Sequence, residues 1–147
     1  KPAYQGLISK HRCVVISDGY YEWKREGKRK IPYYIFSKDR ELLPMAGLWS
    51  SWTGPEGDTQ NTYTVITTEA RTTVRTIHHR MPVILNDDTY PNWLNLENVS
   101  VTDALFLLQP YTGDLTTHPV STLVNSPKNN SPVYIQSADN RETLNLF

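Results

Sequence analysis

The sequence predicts an α+β domain dominated by β-structure. Three observations carry that expectation. Short runs of β-branched and aromatic residues recur through the first half and are punctuated by turn formers. Helical periodicity enters late and lasts only a few turns at a time. Strands and helices do not alternate in βαβ units, so a doubly covered parallel sheet is not expected.

Each element follows from its residues. Arg12-Cys13-Val14-Val15-Ile16-Ser17 is an apolar strand run closed by Asp18-Gly19, a turn dipeptide. Residues 20–24 resume as a strand, and Arg25-Glu26-Gly27-Lys28-Arg29-Lys30 reads as a charged hairpin loop. Residues 32–36, 45–52 and 62–67 are further strands, the last two separated by the breaker-rich loop 53–58. A helix capped by Thr68 would place Ala70, Val74 and Ile77 on one face, with Pro82 beyond it. A second helix starts near Thr89, where Pro91 is tolerated in the first turn and Trp93 and Leu94 supply apolar surface. Ser100-x-x-Asp103 resembles a capping box for a third, whose stripe is Val101, Ala104, Leu105 and Leu108. From Tyr111 onward the chain is polar and turn-rich, with brief strands expected at 116–120 and 132–135.

Composition narrows the functional classes. The 147 residues are 38% apolar and 11% aromatic, enough for one core and too few for two domains. Fifteen basic residues balance fifteen acidic ones, which excludes a binder that relies on uniform positive charge. The balance hides an asymmetry, since residues 1–40 carry a net charge of +6 and the remainder −6. A basic face is therefore available. A single cysteine, Cys13, excludes an internal disulfide framework and a Cys-rich zinc site, and points to a reducing compartment. No apolar run approaches the roughly 18 residues of a membrane span, and no secretory leader opens the chain. The chain begins Lys1-Pro2-Ala3 rather than with Met, as a fragment of a longer protein would.

Three clusters can carry chemistry. Asp18-Gly19-Tyr20-Tyr21-Glu22-Trp23 sets a carboxylate among aromatics, where desolvation raises its pKa toward values useful in proton transfer. An exposed strand glutamate facing the basic loop is the plainer alternative. Ile77-His78-His79-Arg80-Met81-Pro82 offers an imidazole that titrates near neutrality, or merely two histidines complementing a helix end. No HExxH or comparable carboxylate spacing accompanies them, so no metal is expected. The stretch from Val120 to Asn130 is read as turns or as a holder of ligand backbone. Cys13, inside an apolar strand, reads as a small core hydrophobe rather than a nucleophile. The basic loop 24–30 is either a solvated hairpin tip or part of a nucleic-acid backbone path.

Taken in order, these pieces resemble the SRAP family, the SOS-response-associated peptidase fold. The matching segments are Arg12-Cys13, Asp18-Gly19-Tyr20-Tyr21-Glu22-Trp23, Pro32-Tyr33, Ala46-Gly47-Leu48-Trp49 and Thr64-Val65-Ile66-Thr67-Thr68-Glu69-Ala70. Further along come Ile77-His78-His79-Arg80-Met81-Pro82-Val83-Ile84-Leu85, Trp93-Leu94 and Val120-Ser121-Thr122-Leu123-Val124-Asn125. Their order and spacing across nearly the whole chain make the resemblance specific. It implies a sheet-dominated fold with a mixed, barrel-like β core and short peripheral helices, forming one domain over residues 1–147. It also implies an abasic-site processing protein. In that family an amino-terminal cysteine, exposed by autocatalytic removal of the initiator Met, attacks the ring-opened abasic aldehyde in single-stranded DNA and forms a stable thiazolidine cross-link.

Carried over residue by residue, Glu22 is the acid/base of Schiff-base formation and His78 assists ring opening and reversal. Arg80 and Thr67 contact the DNA backbone or the abasic sugar. No cofactor is implied; the partner is single-stranded DNA containing abasic sites, with no membrane or metal, and the protein acts as a monomer. The compartment is the nucleoid-containing cytoplasm of a bacterium or the nucleus of a eukaryote. The family's cysteine nucleophile, a Trp-Gly wedge and an Asn-x-Arg motif should precede residue 1, so this chain is expected to lack the N-terminal part and to be inactive in cross-linking. Two other readings stay open, a non-catalytic single-stranded DNA-binding module and an autopeptidase whose only task is self-processing.

Overall fold

The computed structural model describes residues 2–138. In chain order the elements are α1 (Pro2–Lys10), β1 (Arg12–Ser17), β2 (Gly19–Glu26), β3 (Arg29–Phe36), β4 (Leu43–Thr53), β5 (Thr59–Val65) and β6 (Thr67–Glu69). There follow α2 (Thr72–Arg75), β7 (Arg80–Pro82), α3 (Tyr90–Leu94), α4 (Val101–Phe106) and β8 (Thr116–Pro119). Two 3-10 turns, Thr122–Asn125 and Pro132–Ile135, close the described chain. The class is α+β, as the sequence predicts.

The strands form three separate sheets, β1-β4-β5, β2-β3-β8 and β6-β7, with every named pairing antiparallel. The expected mixed, barrel-like core is thus corrected: the sheets do not close on one another as a barrel. The reason lies at Asp18-Gly19. β1 pairs with β4 while β2 pairs with β3, so this dipeptide is a corner between sheets and not the turn of a hairpin. Gly19 is required there by contact. A Cβ on it would fall 2.5 Å from the Tyr34 ring and 2.6 Å from the Ile35 carbonyl oxygen.

β4 buries both faces in its first half, which explains its near-continuous apolar sequence. Leu43 and Met45 enter one core cluster with Ile35, Val74 and Met81. Ala46 and Leu48 alternate into a second with Val83, Leu85 and Trp93. The second cluster is covered by α1, through Leu7 and Ile8, and by α3 and α4.

Buried Arg12 ties these elements together. Its guanidinium donates to the carbonyls of Trp93 (2.6 Å), Ile8 (3.0 Å), Asn95 (2.8 Å) and Val99 (3.2 Å) and lies over the Trp93 ring. A planar fork suits this arrangement; an ammonium on a flexible stem does not.

Several local expectations are replaced. The charged loop 25–30 contracts to a two-residue tip, with Gly27 at φ 61° as a primed turn requires and Glu26 opposite Arg29. Thr68 does not cap a helix, because pairing with Arg80–Pro82 draws Thr67–Glu69 into β6. The helix that follows is a single turn, although Ala70, Val74 and Ile77 still reach the core together. Ser100 does cap α4, accepting from the Asp103 amide at 3.1 Å and donating to its carboxylate at 2.7 Å. Only Ala104 of the expected stripe is fully buried, and Leu94 of α3 is exposed. Residues 132–135 are a 3-10 turn and not a strand, with Pro132 at its start and the Ser131 hydroxyl accepting from the Val133 amide.

Candidate active site

Glu22 and His78 are 56 positions apart in sequence and meet in one cleft. β2 carries Glu22, and α2 delivers His78. Val74 and Ile77 of the α2 region are buried, and the amides of Ile77 and His78 both donate to the Val74 carbonyl at 2.9 Å. These bonds close the turn and leave residues 75–79 facing β2 residues across a gap. Between them lies a cleft of about 570 Å³ lined by Glu22, Trp23, Lys24, Arg25 and Lys30 on one side and by residues 75–79 on the other. Thr72 enters α2 at φ 50°, a left-handed conformation that strains a β-branched residue.

Within the cleft, His78 Nδ1 stands 3.8 Å from Glu22 Oε1, with the two side chains 35% and 24% exposed. The same nitrogen is 3.2 Å from the Arg80 amide nitrogen and 3.1 Å from the Arg80 carbonyl oxygen. Unprotonated, Nδ1 accepts from the Arg80 N–H. Protonated, it donates to the Arg80 carbonyl or turns toward Glu22. The site thus holds a proton position between one donor and two acceptors. Burial pushes the Glu22 carboxyl above its ordinary range, against the opposing pull of His78, the Trp23 amide and His79. A carboxyl raised in this way keeps its proton to higher pH than a free one and can give or take it.

Arg80 and Thr67 are also brought together. The Arg80 guanidinium donates to Thr67 Oγ1 from Nε at 3.3 Å and from Nη2 at 3.1 Å, and Nη2 donates to the Thr67 carbonyl as well. Neither residue lines the cleft itself; Arg80 adjoins it through its backbone contacts to His78, and Thr67 opens onto a separate hollow of about 390 Å³. The histidines lie beyond the end of α2 rather than on it. Their rings sit 4.5 Å apart and both line the cleft. The reading of them as a helix-end pair is therefore replaced.

The stretch beginning at Val120 contributes one direct link. Trp23 Nε1 donates to Asn125 Oδ1 at 2.7 Å, bracing a cleft residue from the 3-10 turn. Arg75 and Thr76 carry no motif signal of their own, and His79 belongs to the His78-His79-Arg80 cluster without an assigned role. They reach the cleft because the α2 turn is short. Tyr20 shares the β2 face with Glu22, and its hydroxyl is buried without a hydrogen-bond partner among the described residues. Burial, then the Glu22 charge, holds that phenol protonated. Cys13 lies elsewhere, in a groove with Trp49 and Tyr63, and burial pushes its thiol up.

A carboxyl and an imidazole thus converge in a cation-rimmed cleft, an arrangement that can take up and deliver protons. The chain belongs to the SRAP family: residues 1–127 match the family described as SOS response associated peptidase (SRAP). It is 45% identical over 139 residues to the abasic site processing protein YoqW of Bacillus subtilis (strain 168), covering 93% of this chain and 62% of that protein. It is 40% identical over 152 residues to the abasic site processing protein HMCES of Xenopus tropicalis, covering 90% of this chain and 45% of that one. A crystal structure of a Bacteroides thetaiotaomicron protein superposes with a TM-score of 0.84 at 36% identity, over 94% of this chain and 61% of the other. The chain therefore spans less than two thirds of the curated relatives it matches.

Proposed function

We propose that these residues form the acid/base portion of an abasic-site processing protein that becomes covalently joined to abasic sites in single-stranded DNA. The observation that carries the reading is the approach of Glu22 to His78 within one cleft. An abasic sugar is an equilibrium between a closed hemiacetal and an open aldehyde. Opening needs a proton taken from the C1′ hydroxyl and one delivered to the ring oxygen, work suited to His78. Addition of an amine to the aldehyde then gives a carbinolamine. Loss of water from it needs an acid, and Glu22, whose burial raises its carboxyl pKa, supplies that proton. A thiol adding across the imine places sulfur on carbon and hydrogen on nitrogen, closing the thiazolidine.

The amine and thiol are those of an amino-terminal cysteine in the SRAP pattern. No cysteine lines the cleft, and Cys13 faces a different groove. We therefore assign residues 1–147 to a single SRAP domain whose cleft supplies the acid/base groups and not the nucleophile, and assign Met removal to the same amino-terminal cysteine. Arg80, braced on Thr67, would orient the sugar–phosphate beside His78. The site of action is wherever the DNA is, in bacterial cytoplasm or a eukaryotic nucleus, with the protein acting as a monomer.

The test is a denaturing gel of the full-length protein incubated with a single-stranded oligonucleotide carrying one abasic site. A slower band that survives denaturant and requires the abasic aldehyde is expected. Binding that vanishes on denaturation would leave only a DNA-binding module.

A further inference from the structure

We infer that Arg25 and Lys30 form a clamp for backbone phosphates of single-stranded DNA at the rim of the cleft. The inference rests on the abasic-site reading above and assigns residues that the resemblance does not. Arg25 and Lys30 are directly opposite each other across the β2–β3 hairpin, and both line the cleft. Like charges in cross-strand register repel and weaken a hairpin. The next pair toward the tip, Glu26 with Arg29, is complementary, so the repulsion is local to the cleft.

The neighbouring cations already have partners. Lys24 pairs with Glu26 at 2.8 Å and Arg75 with Glu69 at 2.6 Å. Among the described residues no ion pair engages Arg25 or Lys30. The lone carboxyl among the cleft-lining residues is Glu22, whose burial favours its neutral form. Two unneutralised cations, set side by side next to a reactive centre, lack an anion. Two neighbouring backbone phosphodiesters supply that charge, the Arg25 fork taking two oxygens of one and the Lys30 ammonium binding the other as a point charge. Their pairing at the cleft rim fits a charged backbone lying across the hairpin beside the cleft.

The test uses the full-length protein and a labelled single strand containing a tetrahydrofuran abasic analogue. This analogue has no aldehyde and reports binding without cross-linking. Binding is followed by anisotropy as salt is raised. Arg25→Ala/Lys30→Ala should weaken binding about tenfold or more and make the slope of log affinity against log salt shallower by about 1.4, near 0.7 for each phosphate no longer neutralised. Arg25→Lys/Lys30→Arg should keep the wild-type slope. Lys28→Ala/Arg29→Ala removes the same charge at the tip, outside the cleft lining, and should change the slope by less than half as much. Folding of the clamp variant is checked by thermal unfolding, where relief of repulsion should leave the midpoint unchanged or raise it.

A wild-type slope in the clamp variant overturns the inference, and so does an equal effect from the tip variant. If the wild type traps aldehyde-bearing abasic DNA while the clamp variant keeps its slope, the clamp alone is wrong. If the wild type neither binds nor traps the strand, the clamp and the abasic-site reading fall together.

Discussion

Gly19 packs against Tyr34 so closely that a methyl group would sit 2.5 Å from the phenol ring and hydroxyl. This contact lets the chain leave one sheet and enter another three residues before Glu22. Gly19→Ala cannot be absorbed by side-chain motion alone, because the Ile35 carbonyl lies 2.6 Å away on the other side. We expect a loss of about 1–3 kcal/mol, the usual range for overpacking, measured by urea unfolding. A loss below about 0.5 kcal/mol would show that the corner relaxes freely.

Arg12 gives a second stability prediction. Arg12→Met removes a cation that satisfies four backbone carbonyls near α1 and α3. Unsatisfied buried carbonyls are costly, so destabilisation of about 3 kcal/mol or more is expected by thermal or urea unfolding. Arg12→Lys should recover less than half, since one ammonium cannot reproduce the planar fork.

The Glu22 carboxyl predicts a pH dependence. Burial raises it above its ordinary value of 4.5, so the folded protein holds this proton at pH values where the unfolded chain has released it. Stability contributed by this group therefore falls as pH rises from 4.5 through the folded pKa. Glu22→Gln removes that loss. Its stability relative to wild type should increase as the pH rises above 4.5, read from urea midpoints across a pH series. A constant difference between the two proteins would contradict a raised carboxyl.

Most strands are legible in the sequence, for physical reasons that also explain the failures. Arg12–Ser17 is rich in β-branched residues, and Leu43–Thr53 opens with a continuous apolar run whose two faces are both buried. Partner choice is not legible. Nothing local says that β1 pairs across 25 intervening residues with β4 instead of with β2. α1 gives no clear signal because Gly6 interrupts it and it has no acidic first turn; its Leu7 and Ile8 pack against the second core cluster. Residues 67–69 suit a helix start because Thr and Glu favour a cap, and long-range pairing with β7 overrides that local preference. At the site, Glu22, His78, Arg80 and Thr67 are singled out through the resemblance. Arg75 lines the cleft without any motif to mark it, and His79 lines it from within the quoted cluster without an assigned role.

The Trp23–Asn125 hydrogen bond joins the cleft to the last part of the described chain. Asn125→Ala should leave global stability within about 1 kcal/mol, as expected for one exposed bond. It should raise amide exchange at residues 122–126 while leaving β2 protected. Unchanged exchange there would mean that the 3-10 turn is held by other contacts.

The central claim is that Glu22 and His78 act together on protons in one cleft. Single-turnover cross-linking of abasic single-stranded DNA by the full-length protein tests it most directly, with non-covalent affinity for the tetrahydrofuran strand measured alongside. Glu22→Gln and His78→Ala should each slow the step by about 10²-fold or more while affinity stays within a few-fold of wild type. Cross-linking at the wild-type rate in both variants would contradict the account.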